Sequence, residues 1–182
     1  MVFEEKTISS EMIYKGKILN LRKDKVSVKE NQTSYREIVE HNGGVALAAL
    51  TNDGKLVMVK QFRKAAEKVV LEVPAGKIEK GEGHSITARR ELKEETGYIA
   101  GKMEFITSFY SSIGYSTEVI YLYLATKLTP GDTDFDENES IEVLEYNLEE
   151  LKDMIFNMEI EDAKTIAAIL LVESIMEKRK IQ

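Results

Sequence analysis

The stretch RRELKEETGY, residues 89–98, constrains the fold of this chain more than any other segment. Glu91, Glu94 and Glu95 stand at i, i+3 and i+4, which share one face of an α-helix. Thr96 and Gly97 follow at once, and a glycine there is a helix stop. The spacing predicts a helix over about 85–96, with Ile86, Ala88 and Leu92 turned inward. Three carboxylates on one face repel each other unless positive charge stands among them. The run is therefore either a solvated acidic face or half of a metal site.

The surrounding pattern places this helix among strands. KILNLRKDKVSVKE alternates in part, with Leu19, Leu21 and then Val26, Val28 at period two, and YREIVEH resumes after the turn-rich NQTS. Residues 1–42 therefore read as a small antiparallel β-meander, marginal alone and in need of something to pack on, such as a partner subunit. After His41-Asn42-Gly43-Gly44, VALAAL reads as a buried strand, and Asn52-Asp53-Gly54 turns it into KLVMVKQF as a hairpin. Strands are expected again at MEFITSFY, VIYLYLATK and IEVLEYNL, and a short helix near 149–157. The last helix is expected to turn Ala163, Ile166, Ala167, Leu170, Leu171 and Ile175 to the core. Strands, a helix between strands and helices at the end describe an α/β (α+β) domain over 43–182, a mixed sheet covered on both faces.

Charge and composition narrow the function. A net charge of −7 argues against a nucleic-acid partner bound through phosphate neutralisation. An anionic substrate would need metal ions or local arginines to approach. The absence of cysteine removes disulfides, thiolate zinc sites and a cysteine nucleophile, and fits a reducing cytoplasm. The start MVFEEKTISS lacks the layout of a signal peptide, and the longest apolar runs are too short to cross a bilayer, so no membrane partner is expected.

Residues 76–98 together resemble the Nudix box, G-x5-E-x7-R-E-U-x-E-E-x-G-U, where U is a bulky apolar residue. The chain supplies Gly76, Glu82, Arg90, Glu91, Leu92, Glu94, Glu95 and Gly97 in register, with Tyr98 at the final, commonly aliphatic, position. The resemblance implies an α/β/α sandwich and the hydrolysis of a nucleoside diphosphate linked to another group. Oxygen ligands on one helix face suit Mg²⁺ or Mn²⁺, and two to three ions per site are expected. Glu91 and Glu95 are one turn apart with Glu94 beside them. The resemblance adds the Ala75 carbonyl as a backbone ligand. Gly76 lets the chain bend close to the helix, and Arg90 is expected to brace the loop by pairing with Glu82.

Outside the box the chain resembles the ADP-ribose pyrophosphatase branch of that family, in YREIVEHNGGVALAAL, VMVKQFRKAAEKVVLEVPAGKIEKGE, FYSSIGYSTEVIYLYLA and DENESIEV. That resemblance implies substrate contacts from Arg36, Arg63, Glu72 and Glu118. It also implies a general base in the late acidic loop, Glu139 or else Glu137, with Glu94 serving both as ligand and among the catalytic carboxylates. It further implies a homodimer that exchanges its N-terminal sheet. Ile113 stands where the branch usually has proline, which bears on substrate preference. ADP-ribose, cleaved to AMP and ribose 5-phosphate, is the expected substrate. Another sugar nucleotide or a dinucleotide is the alternative, and a non-catalytic nucleotide-sugar sensor is a second class of reading.

Overall fold

A computed structural model describes residues 3–29, 32–134 and 140–180. It divides into two compact units, Met1–Gly43 with Tyr110–Val119, and Gly44–Phe109 with Ile120–Gln182.

The first unit is a three-stranded antiparallel sheet of β1 (Thr7–Lys15), β2 (Leu19–Ser27) and β3 (Thr33–His41). Asp24, buried on the central strand, accepts hydrogen bonds from Ser10 Oγ at 2.6 Å and Arg22 Nε at 3.2 Å. Arg22 also reaches Glu40 on β3, so Asp24 and Arg22 together tie the three strands. Residues 110–119 join this sheet along β3, where Val39 N–H donates to the Tyr115 carbonyl and Thr117 N–H to that of Val39. Every residue of β1 is exposed, Ile8, Met12, Ile13 and Tyr14 among them.

The second unit holds a seven-stranded mixed sheet with the path β10 (Glu142–Tyr146), β5 (Leu56–Arg63), β4 (Gly44–Leu50), β9 (Val119–Pro130) and β8 (Tyr98–Tyr110). β6 (Lys68–Glu72) pairs with β5, and β7 (Ala75–Lys77) pairs with β4. β4 and β9 run parallel, and β4 is buried at every residue. The period-two alternation of strands sends neighbouring side chains to opposite faces. Ala46, Ala48, Leu50, Leu122 and Leu124 pack with Leu151 of α2 (Leu148–Phe156) and Ala168, Ile169 and Val172 of α3 (Ala163–Lys180). Val45, Leu47, Ala49, Tyr123 and Ala125 pack on the other face with Ala88 and Leu92 of α1 (His84–Thr96). Helices thus cover both faces, the expected α/β/α arrangement. No helix among the described residues is long and apolar enough to cross a membrane.

Two features differ from the sequence pattern. Ile86 is 63% exposed, and α1 instead buries Thr87, Ala88, Leu92, Glu95 and Thr96. On α3 the buried stripe is Thr165, Ala168, Ile169 and Val172, while Leu170 and Leu171 face outward. This helix carries apolar residues around most of its circumference, so its sequence has too little contrast between faces to set the phase.

β4 changes partner along one edge, pairing with β7 over Gly44–Ala46 and with β5 at Ala49 and Leu50. Between them, Leu47 N–H donates to the Pro74 carbonyl at 2.8 Å. The split in the sheet is where the turn leading into the acidic helix is seated.

Candidate active site

α1 begins after Gly83 and ends at Gly97, whose φ of 72° is left-handed and whose N–H closes on the Lys93 carbonyl at 2.8 Å. A Cβ at Gly97 would also lie 2.8 Å from the Gly131 carbonyl oxygen, so space as well as φ selects glycine here. The helix is thereby stopped two residues after Glu95, with its acidic face beside the turn at 72–75. Ala75 N–H donates to Glu95 Oε2 at 2.9 Å. A Cβ built on Gly76 would fall inside the Glu91 carboxylate, so the turn and the helix touch there through a missing side chain.

Arg90 supplies counter-charge to two of the three glutamates, Glu91 and Glu94. Its Nε and Nη2 donate to the two oxygens of Glu82 at 3.1 and 3.0 Å, the expected brace. Its Nη1 goes further and donates to Glu91 and Glu94, at 2.8 Å each. The Arg90 hydrogen bonds hold the Glu82 carboxyl down to about 2, and Glu82 in turn raises the Arg90 guanidinium above its usual value.

The donor set fits a hard divalent cation: clustered carboxylates pressed against a backbone turn, with neither histidine nor thiol among them. As they stand, no three His, Cys, Asp or Glu side chains among the described residues form a metal-holding group. Arg90 takes one oxygen of Glu91 and one of Glu94.

Beside the turn, Glu72 is buried and accepts both Arg63 Nε at 2.6 Å and Arg63 Nη2 at 2.9 Å. Burial pushes the Glu72 carboxyl up, but the hydrogen bonds and charges of Arg63 and Lys164 outweigh it and the net shift is downward. Sequence reasoning missed the rest of this group. Lys164 Nζ also donates to Glu72, and to Asp162 Oδ2 at 2.9 Å. Asp162 accepts the N–H and hydroxyl of Thr165, and Thr165 Oγ1 accepts the Val73 N–H at 3.0 Å. An aspartate three residues before a threonine at the head of an apolar run is an N-cap signal that could have pointed here.

A second omission lies at the start of α1. His84 stacks on Tyr121 with ring centroids 4.2 Å apart, and its Nδ1 meets the Tyr123 hydroxyl.

Arg36 and Glu118 belong to the first unit. Arg36 holds Glu5 through Nε at 2.8 Å and Nη2 at 2.5 Å, and gives Nη1 to Ser34 Oγ and the Tyr35 carbonyl. Glu118 sits 3.1 Å from His41 Nδ1, and Ile113 is exposed in the same unit. Glu137 and Glu139 lie outside the described residues.

The chain is similar to known proteins over most of its length. The family model for the NUDIX domain matches residues 40–169. The chain is 46% identical over 168 residues to an ADP-ribose pyrophosphatase of Bacillus subtilis (strain 168), covering 91% of each. It is also 46% identical over 170 residues to a methanol dehydrogenase activator of Bacillus methanolicus, covering 92% of each. In fold it matches the crystal structure of an ADP compounds hydrolase, with a TM-score of 0.87 at 19% identity over 98% of this chain and 97% of that one. With the box in register on α1 and the domain matched over most of its length, the chain belongs to the Nudix hydrolase family.

Proposed function

We propose that the protein hydrolyses ADP-ribose to AMP and ribose 5-phosphate, with Mg²⁺ or Mn²⁺ held by Glu91, Glu94, Glu95 and the Ala75 carbonyl. The observation that carries this reading is the acidic face of α1 lodged against the 75–76 turn, in a chain nearly half identical to a named ADP-ribose pyrophosphatase along its length. Bound divalent ions, two or three per site, supply the counter-charge for a diphosphate and acidify water. The chain's own residues do the rest. Glu139, or Glu137 in its place, takes the proton of the attacking water. Oxygen joins one phosphorus as the bridging P–O bond breaks, and the bridging oxygen leaves on the other phosphate. Arg63 and Arg36 bind the substrate, Glu72 holds Arg63 in place, and Glu118 lines the substrate side. For Arg36 this role means exchanging Glu5 for the ligand. Gly76, Glu82 and Arg90 brace the helix. The protein acts in the cytoplasm as a homodimer whose N-terminal sheet is exchanged, a reading supported by the apolar side chains left exposed on β1.

The test is a panel of nucleoside diphosphate compounds with Mg²⁺, products identified, and dimer mass read by light scattering. AMP from ADP-ribose at the highest kcat/KM is expected, and faster cleavage of a UDP- or GDP-sugar overturns the substrate. Glu95→Gln is expected to lower kcat by about a hundredfold or more while the thermal melt is retained. Only the true base among Glu137→Gln and Glu139→Gln should lose a comparable factor.

The equal similarity to a methanol dehydrogenase activator supports a second reading, in which the chain activates a dehydrogenase. Adding the protein to methanol dehydrogenase separates the two. Activation that survives Glu95→Gln would belong to binding, and activation lost with it would belong to hydrolysis.

A further inference from the structure

We propose that Lys164 is a positioning residue for diphosphate hydrolysis, setting through Glu72 the charge that Arg63 presents to the substrate; this rests on the function proposed above. Four charged side chains form one connected group at the head of α3. The Glu72 carboxylate takes two donors of Arg63 and the ammonium of Lys164, and Lys164 also takes Asp162. Two cations and two carboxylates sum to zero. Their exposure is unequal, with the Arg63 side chain 42% exposed against 15% for Lys164 and 3% for Glu72. Arg63 is thus the member that meets incoming anions, and the other three set how much of its charge is already neutralised.

A bidentate arginine–carboxylate pair left to itself is neutral, and its guanidinium has little net attraction left for a phosphate. Lys164 on the same carboxylate raises that attraction, and Asp162, paired with Lys164, lowers it. Glu72 opens the turn whose Ala75 N–H is held by Glu95 of the ligand helix, which sets the group beside the acidic face where the diphosphate would bind. Thr165 is a different tie. Wholly buried, it holds the Val73 backbone and would keep the turn in place without Lys164.

Lys164 and Asp162, at the head of α3, therefore have opposite signed effects, which a merely structural role does not predict. Lys164→Met makes the group more negative by one charge. Asp162→Asn makes it more positive by one, while its amide oxygen can still accept the Thr165 N–H. For the substrate the wild type cleaves best, Lys164→Met is expected to raise KM about fivefold with kcat changed less than about twofold. Asp162→Asn is expected to lower KM, and Lys164→Arg to behave as wild type. Calorimetry with inorganic pyrophosphate reads the same ordering without turnover. A wild type that cleaves nothing in the panel removes the proposed function but leaves this ordering to be measured. Should Lys164→Met fail to fold, the tighter binding of Asp162→Asn and the wild-type behaviour of Lys164→Arg decide. Both neighbours shifting affinity in the same direction, or neither shifting it, overturns the proposal.

Discussion

At the scale of the residue, Arg90 concentrates more of the site's electrostatics than any other side chain. It meets Glu82 through both carboxylate oxygens, and its third nitrogen, Nη1, donates to Glu91 and Glu94. The Glu82 carboxyl, ordinarily near 4.5, is held down to about 2, and the sign of the consequence is fixed. A depressed carboxylate contributes stability that is complete above its unfolded value and is lost as pH falls through the folded one. Glu82→Gln should therefore cost about 1 kcal/mol at neutral pH, solvent screening allowed for. Urea melts of the two proteins between pH 7 and pH 2 should show that difference closing below about pH 4.5. A difference that widens in acid would show that Glu82 does not draw its low value from Arg90. The Glu82–Arg90 brace was legible in the sequence because both belong to one spaced motif. The extra reach of Nη1 was not, since it depends on how the side chain lies along its own helix.

At the scale of the element, legibility followed contrast. α1 was readable from its acidic face and its terminal glycine, because charge and a left-handed stop are local signals. Its inner face was less so: Thr87 is wholly buried and Ile86 is not, because the sheet dictates which positions of the first turn it covers. α3 was recognisable as a helix and Ile166 and Ile175 pack on the core as expected, but Leu170 and Leu171 do not, because Ile169, Leu170 and Leu171 are apolar in succession and only packing decides among them. Ile169→Ala should cost about 2–5 kcal/mol by leaving a cavity among Leu122, Leu124 and Val172. Leu170→Ala, at a position 44% exposed, should cost less than about 1 kcal/mol. Denaturant midpoints of the two variants give the comparison, and equal losses would place the stripe wrongly. The Asp162–Thr165 cap is local, but the ties of Lys164 to Glu72 and of Thr165 to Val73 escaped notice because they reach about ninety residues upstream.

At the scale of the whole molecule, the mixed sheet places the site where one strand divides its edge between two partners. β4 gives its first residues to β7 and its last to β5, and the 72–75 turn enters the break. Leu47 N–H, Thr165 Oγ1 and Glu95 Oε2 then fix three successive residues of that turn from the sheet, from α3 and from α1. The fold class was legible because strand and helix periods differ and the order of elements limits the layers. This convergence was not, since each of its ties joins segments far apart in sequence. Arg90 has a last consequence for the molecule as a whole. The acidic face behaves like an ion-exchange resin delivered with its counter-ion already fixed to the matrix. Arg90 places a positive charge between Glu91 and Glu94 from within, so the chain is expected to fold without magnesium, unlike domains assembled around a structural metal. Protein dialysed against excess chelator should still melt in one cooperative step, with the midpoint rising as Mg²⁺ is returned. Loss of that step in chelator would mean the resin needs its second ion after all.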